Sequence, residues 1–117
     1  MNLDDLSIGQ AKALAAMLGD KKEELPCPYA AAGLIGTNVM VRTVTMIYIG
    51  RLVSVGEHEL TLMDVAWIPE TGRWGKFIAD GNINECEPYP NGMAVLIGRS
   101  AVIDACLWSS ALPRSQK

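Results

Sequence analysis

The chain has 117 residues, of which 50% are apolar and 20% charged, with a formal charge of −3. That length holds one ordinary domain with a real core, and the composition excludes wholesale disorder. The acidic balance weighs against a broad basic surface for nucleic acid, and no apolar run approaches the roughly 20 residues that cross a bilayer.

The three cysteines, Cys27, Cys86 and Cys106, are odd in number and lack paired spacing, unlike a secreted disulfide framework. The start, Met1-Asn2-Leu3-Asp4-Asp5, is acidic where a signal peptide is basic. A reducing cytoplasm is the expected home, with no membrane partner.

In chain order, Ser7-Ile8-Gly9-Gln10 reads as a capping box. Ile8, Ala11, Ala15 and Leu18 follow at helical spacing and Gly19 ends the pattern, which predicts an amphipathic helix over 7–18. A charged connector and Pro26-Cys27-Pro28 separate it from a small-residue loop up to Gly36.

From Asn38 the density of β-branched residues predicts a three-strand antiparallel meander over 38–67. Val39, Val41, Ile47 and Ile49 interleave with Met40, Val44 and Met46, so both faces of these strands are expected to be covered. Gly50 lies inside the strand density and marks a bulge or bend, and a twisted hairpin is expected around Gly50-Arg51-Leu52. A further turn is expected at Gly56-Glu57. Residues 68–92 are turn-rich, with Thr71-Gly72-Arg73, Asp80-Gly81-Asn82 and Pro88-Tyr89-Pro90-Asn91-Gly92, and are predicted as a long variable loop. Within it, Trp74 to Ala79 suits either one helical turn or a short edge strand. A closing hairpin over 93–108 turns at Arg99-Ser100, and 109–117 is expected to be a frayed polar tail.

Tyr48-Ile49-Gly50-Arg51-Leu52-Val53-Ser54-Val55 followed by Leu60-Thr61-Leu62-Met63-Asp64-Val65 resembles the first motif of the Sm-like proteins. Val95-Leu96-Ile97-Gly98-Arg99-Ser100-Ala101-Val102-Ile103 resembles the second. The resemblance implies a mostly-β fold: a small, strongly bent five-stranded barrel with an N-terminal α-helix and a long loop between strands 3 and 4. It also implies a ring-forming habit. The family's RNA-contacting Asp and Asn have no counterparts, since Gly56, His58 and Glu59 stand at their place, so RNA ranks below other ligands. The Trp67-Ile68…Thr71-Gly72-Arg73 and Ile97-Gly98-Arg99-Ser100-Ala101-Val102-Ile103-Asp104-Ala105 phrases also resemble small proteins carried by phages and other mobile elements.

Catalytic chemistry finds little support. His58, the single histidine, sits between Glu57 and Glu59 in a predicted turn, and no nucleophile-elbow motif surrounds Ser100. The cysteines and His58 lack ligand neighbours at metal-site spacing, so neither a metal nor another cofactor is expected. Asp80, Glu85 and Glu87 read as a solvated acidic loop. Arg73, Trp74 and Arg99 stand out on loops: guanidinium groups suit phosphate or carboxylate, and an indole face suits a base. Trp67 and Trp108 are weighed instead as packing residues.

The expected function is a non-enzymatic homo-oligomer, a ring being one form, that captures a nucleotide-like or other anionic ligand with Arg73, Trp74 and Arg99. In a phage setting this includes sequestering a host signalling nucleotide. The alternatives are an Sm-like RNA-binding ring and a structural assembly protein without a small ligand.

Overall fold

The computed structural model describes residues 31–117. The expected helix at 7–18 and Cys27 lie outside the described residues. A 3₁₀ turn at Ala31–Leu34 leads into strands β1 (Asn38–Thr43), β2 (Ile47–Val55) and β3 (Glu59–Glu70). Helix α1 (Trp74–Asp80) follows, then β4 (Glu85–Pro88), β5 (Val95–Gly98), a 3₁₀ turn at Arg99–Ala101, and β6 (Val102–Leu107).

The strands form one six-stranded antiparallel sheet in the order β4-β3-β2-β1-β6, with β5 also paired to β3. The three-strand meander over 38–67 is present as β1, β2 and β3. At 12 residues, β3 is long enough to hold two partners on one edge. Its Glu59–Leu62 segment pairs with β5, while Ala66, Trp67 and Glu70 pair with β4.

The sheet corrects the expected five-stranded barrel: it has six strands and is not closed. Strands β5 and β6 are joined by a tight turn, yet they pair with β3 and β1 respectively and not with each other. The expected closing hairpin over 93–108 is therefore two separate edge strands. The α-helix of the described chain is mid-sequence at α1, not N-terminal. The stretch 68–92 is not one loop either, because it holds the end of β3, α1 and β4.

The hairpin expected at Gly50-Arg51-Leu52 also moves. The β1–β2 turn falls at Val44–Met46, with no glycine or proline to mark it. Thr43 organises it: the Met46 N–H donates to the Thr43 hydroxyl (3.0 Å), which in turn donates to the Met46 carbonyl (2.9 Å). Gly50 instead sits within β2 at a register shift. Asp64 and Val65 of β3 stand opposite this single residue, with Asp64 in the left-handed region at φ 54°. The extra residue reverses the alternation of β3. Leu60 and Leu62 face one core, and beyond the bulge Val65 faces it while Ala66 and Ile68 turn to the other.

Both faces of the sheet are covered, as the interleaved apolar residues required. On one face Val39, Val41, Leu52, Leu62, Val65 and Ile97 pack together. On the other, Met40, Ile49, Ala66 and Ile68 meet Phe77 of α1, Ile83, Cys86 and Trp108. Trp108 is core, with its ring 5.0 Å from that of Phe77 and its Nε1–H donating to the Ala111 carbonyl (3.0 Å).

The tail expected to fray is tied down. Lys117 and Cys86 exchange both backbone hydrogen bonds (2.9 and 3.0 Å). The Arg114 guanidinium donates to the carbonyls of Val65 (3.1 Å) and Tyr89 (2.7 Å) and to Asn91 Oδ1 (2.7 Å).

Candidate ligand-binding groove

Helix α1 is short, and it owes its position to packing. Trp74, Phe77 and Ile78 fall on one face at i, i+3 and i+4. Phe77 is buried between the rings of Trp74 (5.4 Å) and Trp108 (5.0 Å). The helix ends at Gly81, in the left-handed region at φ 77°, whose N–H donates to the Phe77 carbonyl (3.1 Å). A side chain at Gly81 would collide with Ser110, so glycine is required there twice over.

Anchoring Phe77 leaves Trp74 at the rim, 40% exposed. It lines an open groove of about 610 Å³ together with Arg73, Gly75, Lys76 and Asp80. It also borders a smaller cavity of about 210 Å³ with Met40, Ile78, Asp104, Ala105 and Cys106. The Arg42 guanidinium lies over the Trp74 ring, 5.0 Å from its centroid.

Arg42 is held from the neighbouring strand. Arg42 of β1 and Asp104 of β6 are register partners, and the pair is bidentate: Nε donates to Oδ1 (3.0 Å) and Nη2 to Oδ2 (2.5 Å). The hydrogen bond to Asp104 raises Arg42 above the ordinary guanidinium value. Burial pushes the nearby Cys106 thiol up, and the Asp104 charge adds to the shift.

Of the three residues singled out in the sequence, Arg73 and Trp74 share the groove, whereas Arg99 does not line it. Arg99 lies in the β5–β6 turn, where its Nη1 donates to the Gly56 carbonyl (2.7 Å) and its N–H to the His58 carbonyl (2.9 Å). His58 itself is exposed on the β2–β3 turn. Sequence reasoning missed Arg42, Lys76 and Asp104. A signal for the pair was present, since Arg42 is the one charged residue of β1 and Asp104 the one charged residue of β6.

Among the described residues, no three His, Cys, Asp or Glu side chains are grouped to hold a metal ion. No helix among them is long and apolar enough to cross a membrane. The chain matches no protein-family model, and no curated protein matches it.

Proposed function

We propose that the chain is a non-enzymatic, self-associating binding module that captures a nucleotide-like or other anionic ligand against Arg73 and Trp74. The half-exposed indole of Trp74, with Arg73 and Lys76 lining the same groove, carries this reading. A core tryptophan buries its ring, as Trp108 does; an indole kept at the rim among cations suits stacking on a planar group beside a negative charge. Arg99 is spent on Gly56, so Lys76 takes its place as the second groove cation. The resemblance to phage-borne proteins adds the setting, in which capture would withhold a host signalling nucleotide.

Self-association is supported by two strands that, among the described residues, pair on one side only. Strand β5 exposes Leu96 (63%), and β6 exposes Ile103 (58%) and Leu107 (59%). Unpaired edge strands with bare apolar side chains invite a partner strand, and a second copy of the chain supplies one.

Native mass spectrometry of freshly purified protein tests both halves by recording subunit count and bound small molecules together. A multimer carrying an anionic ligand that Arg73→Ala and Trp74→Ala each lose is the expected result. A monomer at micromolar concentration would remove the assembly, and full retention of ligand by both variants would remove the site. Co-purification of RNA with steep salt dependence would instead favour an RNA-binding ring.

A further inference from the structure

Asn91 and Gly92 occupy the two central positions of a turn between β4 and β5, which the Met93 N–H closes by donating to the Pro90 carbonyl (3.2 Å). Both residues are exposed. Gly92 is in the left-handed region at φ 83°, and a Cβ built on it would meet nothing within 4 Å. Among the described residues, the Gly92 N–H donates to no backbone carbonyl. Asn91 Oδ1 accepts from the Arg114 guanidinium (2.7 Å), the same group that donates to the carbonyls of Val65 and Tyr89.

We infer that Asn91 is a site of spontaneous deamidation, and that the aspartate formed at position 91 tightens the hold of Arg114 on the C-terminal segment. The Gly92 backbone nitrogen gives up its proton to hydroxide and attacks the side-chain amide carbon of Asn91, forming a new N–C bond. The bond from that carbon to Nδ2 breaks, and the departing nitrogen takes a proton from water and leaves as ammonia. A cyclic succinimide remains. Water then opens the ring at either carbonyl, giving aspartate or isoaspartate. The sum consumes water and releases ammonia, with no oxidant or reductant. The negative charge that gathers on Oδ1 during the attack already faces the Arg114 guanidinium as a donor.

Sequence and structure together select this site over its competitors. The other asparagines, Asn2, Asn38, Asn82 and Asn84, precede Leu3, Val39, Ile83 and Glu85, whose side chains crowd the nitrogen that must attack. Asp80-Gly81 has the residues for the same ring. There, however, the Gly81 N–H is held by the Phe77 carbonyl (3.1 Å) and Ser110 fills the space beside the glycine. Deamidation at position 91 turns a neutral acceptor of Arg114 into a carboxylate. Charge-assisted hydrogen bonds are roughly twice as strong as neutral ones, so the aspartate product binds the guanidinium more firmly. The isoaspartate product instead lengthens the backbone of the turn.

Incubation of the purified full chain at mildly alkaline pH, read by ion exchange and peptide mass spectrometry, tests the site. A more acidic species should accumulate, with aspartate and isoaspartate concentrated at position 91. Asn91→Gln should not form it, because the longer side chain closes its larger ring slowly. No conversion at position 91, conversion at Asn82 or Asn84 as fast as at Asn91, or an acidic species formed as fast in Asn91→Gln overturns the site. Asn91→Asp stands for the product with the normal backbone. It should raise the thermal midpoint by about 1–4 °C at low salt, the scale of an exposed charge pair in a small domain. High salt and an Arg114→Ala background should each abolish that gain. A midpoint unchanged or lowered by Asn91→Asp, or a gain that survives without Arg114, overturns the tightening and leaves the modification site standing.

Discussion

At the residue scale, the positions that matter most are those where one side chain, or its absence, lets two segments meet. A Cβ at Gly50 would lie 3.0 Å from Val65 Cγ2 and 3.1 Å from the Met63 carbonyl oxygen. The crowding comes from the β3 bulge, part of it backbone that cannot swing away. Gly50→Ala should therefore cost about 1–3 kcal/mol, the usual scale of overpacking, as a lowered urea midpoint. An unchanged midpoint would show that the bulge relaxes freely. Arg114 is the opposite case, a long side chain that fastens the C-terminal segment to two carbonyls and an amide oxygen. Arg114→Ala should cost about 1.5–3 kcal/mol, and Arg114→Lys should recover only part of it, because an ammonium lacks the planar fork.

The thiols give the residue scale a pH dependence. Burial raises both Cys86 and Cys106, with the neighbouring charges of Glu87 and Asp104 adding to it. Their folded pKa values thus exceed the unfolded ones, so their contribution is whole below the unfolded thiol range and drains away as pH rises through the folded values. Denaturation midpoints should hold near neutrality and fall above about pH 9. A Cys86→Ala, Cys106→Ala protein should show a shallower fall, and an equal slope in both proteins would contradict this assignment.

At the element scale, α1 is too short to hold itself together and exists because Phe77 is anchored. Phe77→Ala should cost about 3–5 kcal/mol, as large aromatic truncations in cores do, and should also release Trp74 from the rim. A red shift and faster acrylamide quenching of tryptophan fluorescence in the folded variant would record that release. Strand existence was legible in β-branched density, and the meander over 38–67 was correctly bounded to within a few residues. The β1–β2 turn was not legible, because Val44, Thr45 and Met46 are strand-forming residues and the turn depends on one threonine hydroxyl. Of the bulge or bend that Gly50 signals, the structure has the bulge and no hairpin, since glycine marks close approach as readily as reversal. Trp74, Phe77 and Ile78 did carry helical spacing, but over seven residues that signal does not separate a turn of helix from a short edge.

At the scale of the whole molecule, the open sheet sets the terms for assembly. Among the described residues, strands β5 and β6 each pair on one side only, and they expose Leu96, Ile103 and Leu107. If a second copy covers them, Leu96→Lys and Ile103→Lys should each reduce the subunit count in native mass spectrometry, with the folded monomer retained. Multimers unaffected by both charges would place the contact elsewhere.

The sequence by itself determined that this is a β-rich chain with strands apolar on both faces, a bulge or bend at Gly50, and turns around Gly72, Gly81 and Gly92, three glycines that the structure holds in the left-handed region. These follow from local rules: β-branching, alternation and the steric freedom of glycine act over a few residues. Only the tertiary structure decided that the last two strands part to opposite edges, that the C-terminal segment pairs with Cys86, and that Arg99 is spent on Gly56 while Arg42 lies over Trp74. Arg42 and Asp104 are 62 positions apart, and one charge on each of two strands says nothing until those strands are neighbours. Pairing across such a distance is set by how the whole chain buries its two faces, which no short window of sequence contains.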